Sequence, residues 1–475
     1  MNEEKYWKCA SAKEAFKHVK TPVFISQALT DALLAEMVGD NASPYGLTSD
    51  PSNPSVEGAL GKREKVALKK LTSADILSMD AKEESKEILR LISLNATARE
   101  IYAENLMKLG YFMMPLHHVD RSYHDTLQED MEAVIYADEL GYSEAWVGEH
   151  YSSAVEQITS PLMFHANLIN RTKQIKLATG VMCLPQYHPA VTAGQAAMFD
   201  HLSDGRFIMG VGPGGLVSDF ALFGVLEKDR MEMMEEALDA MLTLWANEPP
   251  YNIHGKHWDI SMDDFTHHDI KLGYVPKPLQ LPHPPIAMSA MSPSSGSLKF
   301  AGSRGYMPVS ANFIAEWSLK THWPAYCAGA EEAGLTPDPE QWHVARSIFV
   351  DETDEKAANF ATQTGGAMDY YYEYLYTIFH RGNHKAPFVA NLGDDPEELT
   401  HEKVRDACVI HGSPKTVARK LLELRDEIGH FGTLLYAAHD WVDKGRMKNS
   451  MRLMAQEVMP IVNQALGTKA AYSQP

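Results

Sequence analysis

Glu149 and His150 stand side by side, a carboxylate and an imidazole, at the end of the short apolar run Tyr142-Ser-Glu-Ala-Trp-Val-Gly148. Together they can take up and release a proton near neutral pH, the work of a general acid or base. In isolation the pair is equally a surface pair or a cap on the following helix. Three further stretches could hold a ligand. Ala178-Thr-Gly-Val-Met-Cys183 places small residues, Gly180 and Val181 among them, where a flat molecule could approach the backbone; tight packing would use the same residues. Gly205-Arg-Phe-Ile-Met-Gly-Val-Gly-Pro-Gly-Gly215 offers Gly212 and Gly214 as a loop near a ligand, although Pro213 interrupts any dinucleotide pattern. The tract Ser289-Ala-Met-Ser-Pro-Ser-Ser-Gly-Ser297 carries Ser289, Ser292, Ser294, Ser295, Gly296 and Ser297 at a strand-to-helix junction. Hydroxyls and N–H groups there could bind an anion, or simply cap the helix. His439-Asp440-Trp441 could shape substrate access or form a capped turn. No HExxH, paired CxxC or acidic cluster with metal spacing occurs, so no metal site is expected.

These residues need strands that end where they begin. From residue 107 onward, short β-branched or aromatic runs alternate with amphipathic stretches, the rhythm of βα units. Strands are predicted over 108–114, 143–147, 175–183, 206–211, 285–290, 306–310, 343–350 and 432–437. Helices are predicted over 126–140, 230–245, 414–428 and 446–462. The pattern predicts a (β/α)₈ barrel with chemistry at the carboxyl ends of its strands; an open doubly wound sheet is the alternative. Two long excursions, 247–284 and 361–403, are expected to act as lids or substrate walls. The second contains Tyr370-Tyr-Tyr-Glu-Tyr-Leu-Tyr376.

The domain reading is a partly irregular, partly helical extension over 1–106, a barrel over 107–467 and a tail over 468–475. In the extension, 42–61 is rich in Pro, Gly, Ser and Asn, and 73–106 has apolar residues at helical spacing. Of 475 residues, 45% are hydrophobic and 22% charged, which places the chain in the globular class. The net charge of −20 argues against nucleic acid and anionic membranes as partners, since both recruit clustered Lys and Arg. Four scattered cysteines and an N-terminus without a basic-then-apolar leader lead to a cytoplasmic expectation.

Taken in order, KLGYFMMPLH, ADELGYSEAWVGEHY, ATGVMCLPQYHP, FDHLSDGRFIMGVGPG, MSAMSPSSG and FGTLLYAAHDW with EVMP resemble the bacterial luciferase-like flavin monooxygenases, above all the limonene monooxygenase-like members. The resemblance covers about residues 107–466. It implies a (β/α)₈ barrel, usually dimeric, that takes reduced FMN from a separate flavin reductase and uses O2 to oxygenate a small apolar organic substrate. On that resemblance His150 matches the catalytic histidine, and Glu149 a neighbour that shapes the site and subunit contacts. Gly180 and Val181 match a non-prolyl cis peptide behind the flavin ring, Ser292 to Ser297 the flavin phosphate tract, and Ser310 a residue near the ring. Tyr151, Tyr372, Tyr376, His439 and Trp441 are expected to line the substrate wall. Two departures stand out. Gly212-Pro213 replaces a Cys-Arg pair of luciferase proper, and Tyr151 replaces the second histidine of a common EHH. A deazaflavin-dependent oxidoreductase of the same superfamily and a non-catalytic flavin- or partner-binding barrel are the alternatives.

Overall fold

The computed structural model describes residues 106–114, 116–382 and 385–472. Eight parallel strands close into a barrel: β1 (Lys108–Met113), β2 (Glu144–Val147), β3 (Lys176–Thr179), β5 (Phe207–Gly212), β8 (Ile286–Ala290), β9 (Met307–Ser310), β10 (His343–Val350) and β12 (Thr433–Ala437). The ring shuts where β12 pairs with β1, with Lys108 opposite Thr433, and where β9 pairs with β10. Closure is the step that strand count alone left open.

The eight predicted strands are the eight staves, with one interruption. The expected run 175–183 breaks after Thr179, where the Gly180–Val181 peptide is cis, and resumes as β4 (Met182–Cys183), which pairs with β5. Strand β11 (Val409–Gly412) was not predicted; it adds to β10 outside the ring. Its sequence, Val-Ile-His-Gly, is too short to stand out from the preceding helix. In the first excursion β6 (Asn252–His254) and β7 (Asp259–Ser261) form a hairpin. Glu236, on the helix Arg230–Ala246, holds it by accepting the N–H groups of Lys256, His257 and Trp258.

Period-two alternation gives each stave an inner and an outer face. Phe112, Trp146, Ala178, Ile208, Ala287, Val309, Ala345 and Leu435 fill the inside as one cluster, and the outer faces pack under the helices. Below this layer, Glu144 and His343 form a buried ion pair at 2.8 Å. Gly110 leaves room for it, because a Cβ there would lie 2.9 Å from Glu144 Cγ. The helix Pro414–Ile428 matches its predicted bounds. The last predicted helix, 446–462, instead starts at Lys444, passes through a π-turn at Met454–Val458 and continues to Tyr472, into residues expected to form a tail. Alanine, leucine and lysine in that stretch favour helix, which explains the continuation. The expected extension, apart from Leu106, lies outside the described residues.

Candidate active site

His150 stands at the carboxyl end of β2, and its N–H donates to Ile158 O at 3.0 Å. Its ring lies between two carboxylates: Nδ1 is 3.5 Å from Asp219 Oδ2 and Nε2 is 3.7 Å from Glu156 Oε2. Burial pushes the imidazole toward neutrality, but Glu156, Asp219 and Glu149 outweigh it and raise its pKa. Glu156 is itself buried, its pKa is raised by burial against the pull of His150, and its Oε1 has no protein partner. His150 thus faces two carboxylates in a dry site, an arrangement in which an imidazole can exchange protons with a neighbouring ligand.

Asp219 fixes the turn that presents His150. It accepts the N–H of Tyr151 at 3.1 Å and of Ser152 at 2.8 Å, and also the Ser152 hydroxyl. Burial raises its pKa, but these bonds and His150 outweigh that, so it stays ionised. Glu149 points the other way, accepting from Cys183 N–H at 3.3 Å and from the Tyr187 hydroxyl. Its burial pushes its pKa up to about 7. Tyr151 joins the same chain, its hydroxyl bonded to that of Tyr187 and its ring packed edge-on against Phe223 at 4.9 Å. The aromatic that replaces a histidine here is therefore wired to Glu149.

Beside His150 the barrel wall is bare. Gly148, Gly180 and Gly210 occupy adjacent staves, and a Cβ on Gly180 would meet Phe112 at 3.1 Å and Trp146 at 3.3 Å, which places it on the inner face. At Gly210 a Cβ would sit 1.9 Å from Thr179 O, and at Gly212 2.7 Å from Val181 Cγ2, so β5 lies hard against the broken stave. Gly214 adopts φ +86, open to glycine alone without strain. The result is a run of side-chain-free positions where β2, β3 and β5 pack closely at the barrel mouth.

The serine tract follows β8, the stave that pairs with β5. Ser289 is half-buried on β8, and Ser295 precedes the helix Gly296–Arg304 without capping it by its side chain. Leu298 N–H closes back on Ser295 O at 3.2 Å, which leaves the N–H groups of Gly296 and Ser297 to an anion. A relay grips the tract from behind. The Trp342 indole N–H donates to Ser310 Oγ at 2.9 Å, Ser310 bonds His322 Nδ1 at 2.8 Å, and His322 Nε2 lies 3.0 Å from Ser292 O. Burial pushes the His322 pKa down to about 4, so the ring is neutral; it donates from Nε2 to the carbonyl and accepts Ser310 O–H at Nδ1. Next to it Thr321 Oγ1 accepts the Ser294 N–H at 2.7 Å, and Ser294 takes φ 50. Ser310, expected near a ring, is engaged on both sides by this relay.

The tyrosine-rich segment is the helix Ala367–Arg381. Tyr374 bonds Ser153 at 3.1 Å, Tyr371 receives from Asn312 Nδ2 at 3.1 Å, and Tyr372 donates to Ser347 at 2.9 Å. Tyr372 and Trp441 are buried in the core, whereas Tyr376 is half-buried and stacks on His380. His439 lies under this helix, 4.7 Å from the Tyr371 ring. Its neighbour Asp440 is tied to His117 Nδ1 at 2.7 Å and to Arg121. His117, Glu129 and Asp440 come close enough to hold a cation, but Arg121 already bridges the two carboxylates.

Residues 107–430 match the family model described as luciferase-like monooxygenase. The chain belongs to that family. It is 31% identical over 369 residues to limonene 1,2-monooxygenase of Rhodococcus erythropolis, covering 77% of this chain and 89% of that one. It is 32% identical to 4-hydroxyprotoasukamycin monooxygenase of Streptomyces nodosus subsp. asukaensis, covering 77% and 95%. Among solved structures, the oxygenating constituent of 3,6-diketocamphane monooxygenase of Pseudomonas putida, in complex with FMN, superposes with a TM-score of 0.68 at 30% identity, covering 75% of this chain and 98% of that one. An F420-dependent secondary alcohol dehydrogenase at 18% identity, TM-score 0.55, shares the fold.

Within this luciferase-like monooxygenase barrel, the partners of His150 were not legible in the sequence. Glu156 lies in a loop 6 positions after His150 and Asp219 in the short helix Val217–Leu222, 69 positions after it, in no recurring pattern, and nothing local separates them from solvated surface charge. Their shared trait, a place in the segments that follow the carboxyl ends of β2 and β5, becomes informative only once the staves are assigned. His322 sits in an ordinary helix and carries no such signal.

Proposed function

We propose that this chain is the oxygenating component of a flavin-dependent monooxygenase, taking reduced FMN from a separate reductase and transferring one atom of O2 to a small apolar organic molecule, and that it works as a homodimer. The observation that carries the reading is His150, suspended between buried Glu156 and ionised Asp219 beside the bare wall of Gly148, Gly180 and Gly210. The side-chain-free backbone fits a planar ring, and the uncapped helix after Ser295 fits its phosphate. When bound, reduced FMN supplies the electrons that activate O2.

The protein residues do the rest. Gly180, Val181, Gly212 and Gly214 shape the ring face, while Ser292, Ser294, Gly296 and Ser297 hold the phosphate in the conformation set by Thr321 and His322. His150 at Nε2 exchanges a proton with the bound reactants, and Glu156 balances its charge as the proton moves. The helix Ala367–Arg381 keeps water from the mouth, which favours transfer of oxygen to substrate over its loss to solvent. Glu149 braces the segment after β3 by accepting the Cys183 N–H and the Tyr187 hydroxyl, which is bonded in turn to Tyr151.

Reduced FMN and a terpenoid substrate test this: labelled product should form under ¹⁸O2, and no product under argon. His150→Ala should bind FMN normally and lose about 10²-fold or more in turnover. Wild-type turnover by that variant would remove His150 from the chemistry, and product formed equally under argon would replace oxygen transfer with hydride transfer.

A further inference from the structure

We propose that His439 holds an oxygen of the substrate by a hydrogen bond, so that the enzyme takes compact apolar molecules bearing a carbonyl or hydroxyl group in preference to plain hydrocarbons. The inference rests on the reading of the barrel mouth as a monooxygenase site and names what enters it.

The placement follows from β12. Leu435 and Ala437 are members of the inner cluster, and strand pairing continues past Ala437 because Ala438 N–H donates to Phe112 O at 2.8 Å. Alternation therefore turns His439 inward. On the neighbouring stave Met114 packs against the inner cluster, and on the next a Cβ at Gly148 would lie 2.8 Å from Met114 Cγ, with His150 the following inward position. His439 and His150 thus flank Met114 at one mouth, on three adjacent staves.

The chemistry follows from what His439 lacks. It is 4% exposed, yet neither ring nitrogen has a protein partner. A neutral imidazole carries one N–H donor and one acceptor, and burying both unpaired is costly. Burial holds its pKa down at about 3, against the pull of Asp440, so the ring is neutral at any working pH. Its neighbours are committed elsewhere: the Tyr371 hydroxyl to Asn312, the Tyr372 hydroxyl to Ser347, and the Asp440 carboxylate to His117 and Arg121. Other buried histidines at this end, His117 and His322, are bonded through both nitrogens, which sets His439 apart. The Tyr371 and Tyr372 rings stand 4.7 and 6.4 Å from it, and the inner cluster below it includes Phe112, Met114 and Ala437, an apolar surrounding with one polar point.

The test uses the full chain loaded with oxidised FMN, and equilibrium binding of a bicyclic ketone, its alcohol and the parent hydrocarbon, so that the readout is independent of turnover. Wild type should bind the ketone or alcohol more tightly than the hydrocarbon. His439→Leu should weaken the oxygenated ligands about tenfold and leave the hydrocarbon and FMN unchanged, and His439→Gln, which restores a donor, should recover most of the loss. Equal weakening of ketone and hydrocarbon, no weakening of either, or wild-type preference for the hydrocarbon would each overturn the proposal. Failure of the wild type to oxygenate any of the three with reduced FMN in air would instead strike the monooxygenase reading, leaving the binding comparison to decide the role of His439.

Discussion

Ser310→Ala removes a single oxygen from the relay behind the serine tract, and its cost can be worked from the bonds that oxygen makes. Ser310 is fully buried, accepts the Trp342 indole N–H at 2.9 Å and engages His322 Nδ1 at 2.8 Å. Its loss strands a donor and an acceptor in a dry site, at about 1–3 kcal/mol each, and the small void adds little. The expected loss of apparent stability is therefore about 2–5 kcal/mol, read as a lower urea midpoint at unchanged slope. A second effect is specific to the ligand. His322, freed at Nδ1, no longer fixes the Ser292 carbonyl 3.0 Å from its Nε2, so the tract loosens while the wall of glycines is untouched. FMN affinity should then fall several-fold more than riboflavin affinity in parallel fluorescence titrations, because only FMN carries the phosphate. Equal losses for the two flavins would refute the positioning role of the relay, and an unchanged urea midpoint would refute the hydrogen-bond reasoning itself.

Gly210→Ala should disrupt the seam between the broken stave and β5, since the new Cβ would lie 1.9 Å from the Thr179 carbonyl oxygen, whereas Gly194→Ala, in the helix Pro189–Leu202 with open space around it, should stabilise by about 0.5–1 kcal/mol; thermal melts of the two variants make the comparison. His117 should make stability fall in mild alkali. Burial lowers its pKa, but Asp130 and Asp440 outweigh this and raise it from 6.5 to about 9. Because the folded value lies above the unfolded one, the contribution is complete below 6.5 and fades as pH rises through 9, by at most about 3 kcal/mol. His117→Gln should flatten that part of a urea-midpoint profile, and an unchanged slope would show that another group is responsible.

Legibility differed by residue. Glu149 and His150 could be singled out because an apolar run stops abruptly in two polar residues, and the serine tract because hydroxyls gather at a strand-to-helix junction. Both signals are local in the chain. The bond between Tyr187 and Glu149 spans 38 positions, that between Ser310 and Trp342 spans 32, and that between His117 and Asp440 spans 323. No period or composition reports such pairs. His439 is the sharpest case: the sequence offers His439-Asp440-Trp441 as substrate access or a capped turn, and only the structure adds its inward position and its unpartnered nitrogens.

What the sequence determined by itself was the set of staves and the order of the motifs on them, because alternation and helical spacing follow from each segment's own need to bury one face. It also carried the family resemblance, which depends on short motifs in a fixed order. Only the tertiary structure decided that the sheet closes, that the third stave breaks at Gly180–Val181, and that Glu156 and Asp219 converge on His150. The reason is the same in each case. Closure, burial and the protonation of a carboxylate–imidazole pair depend on which distant groups share a dry space, and that space exists only after the barrel has formed.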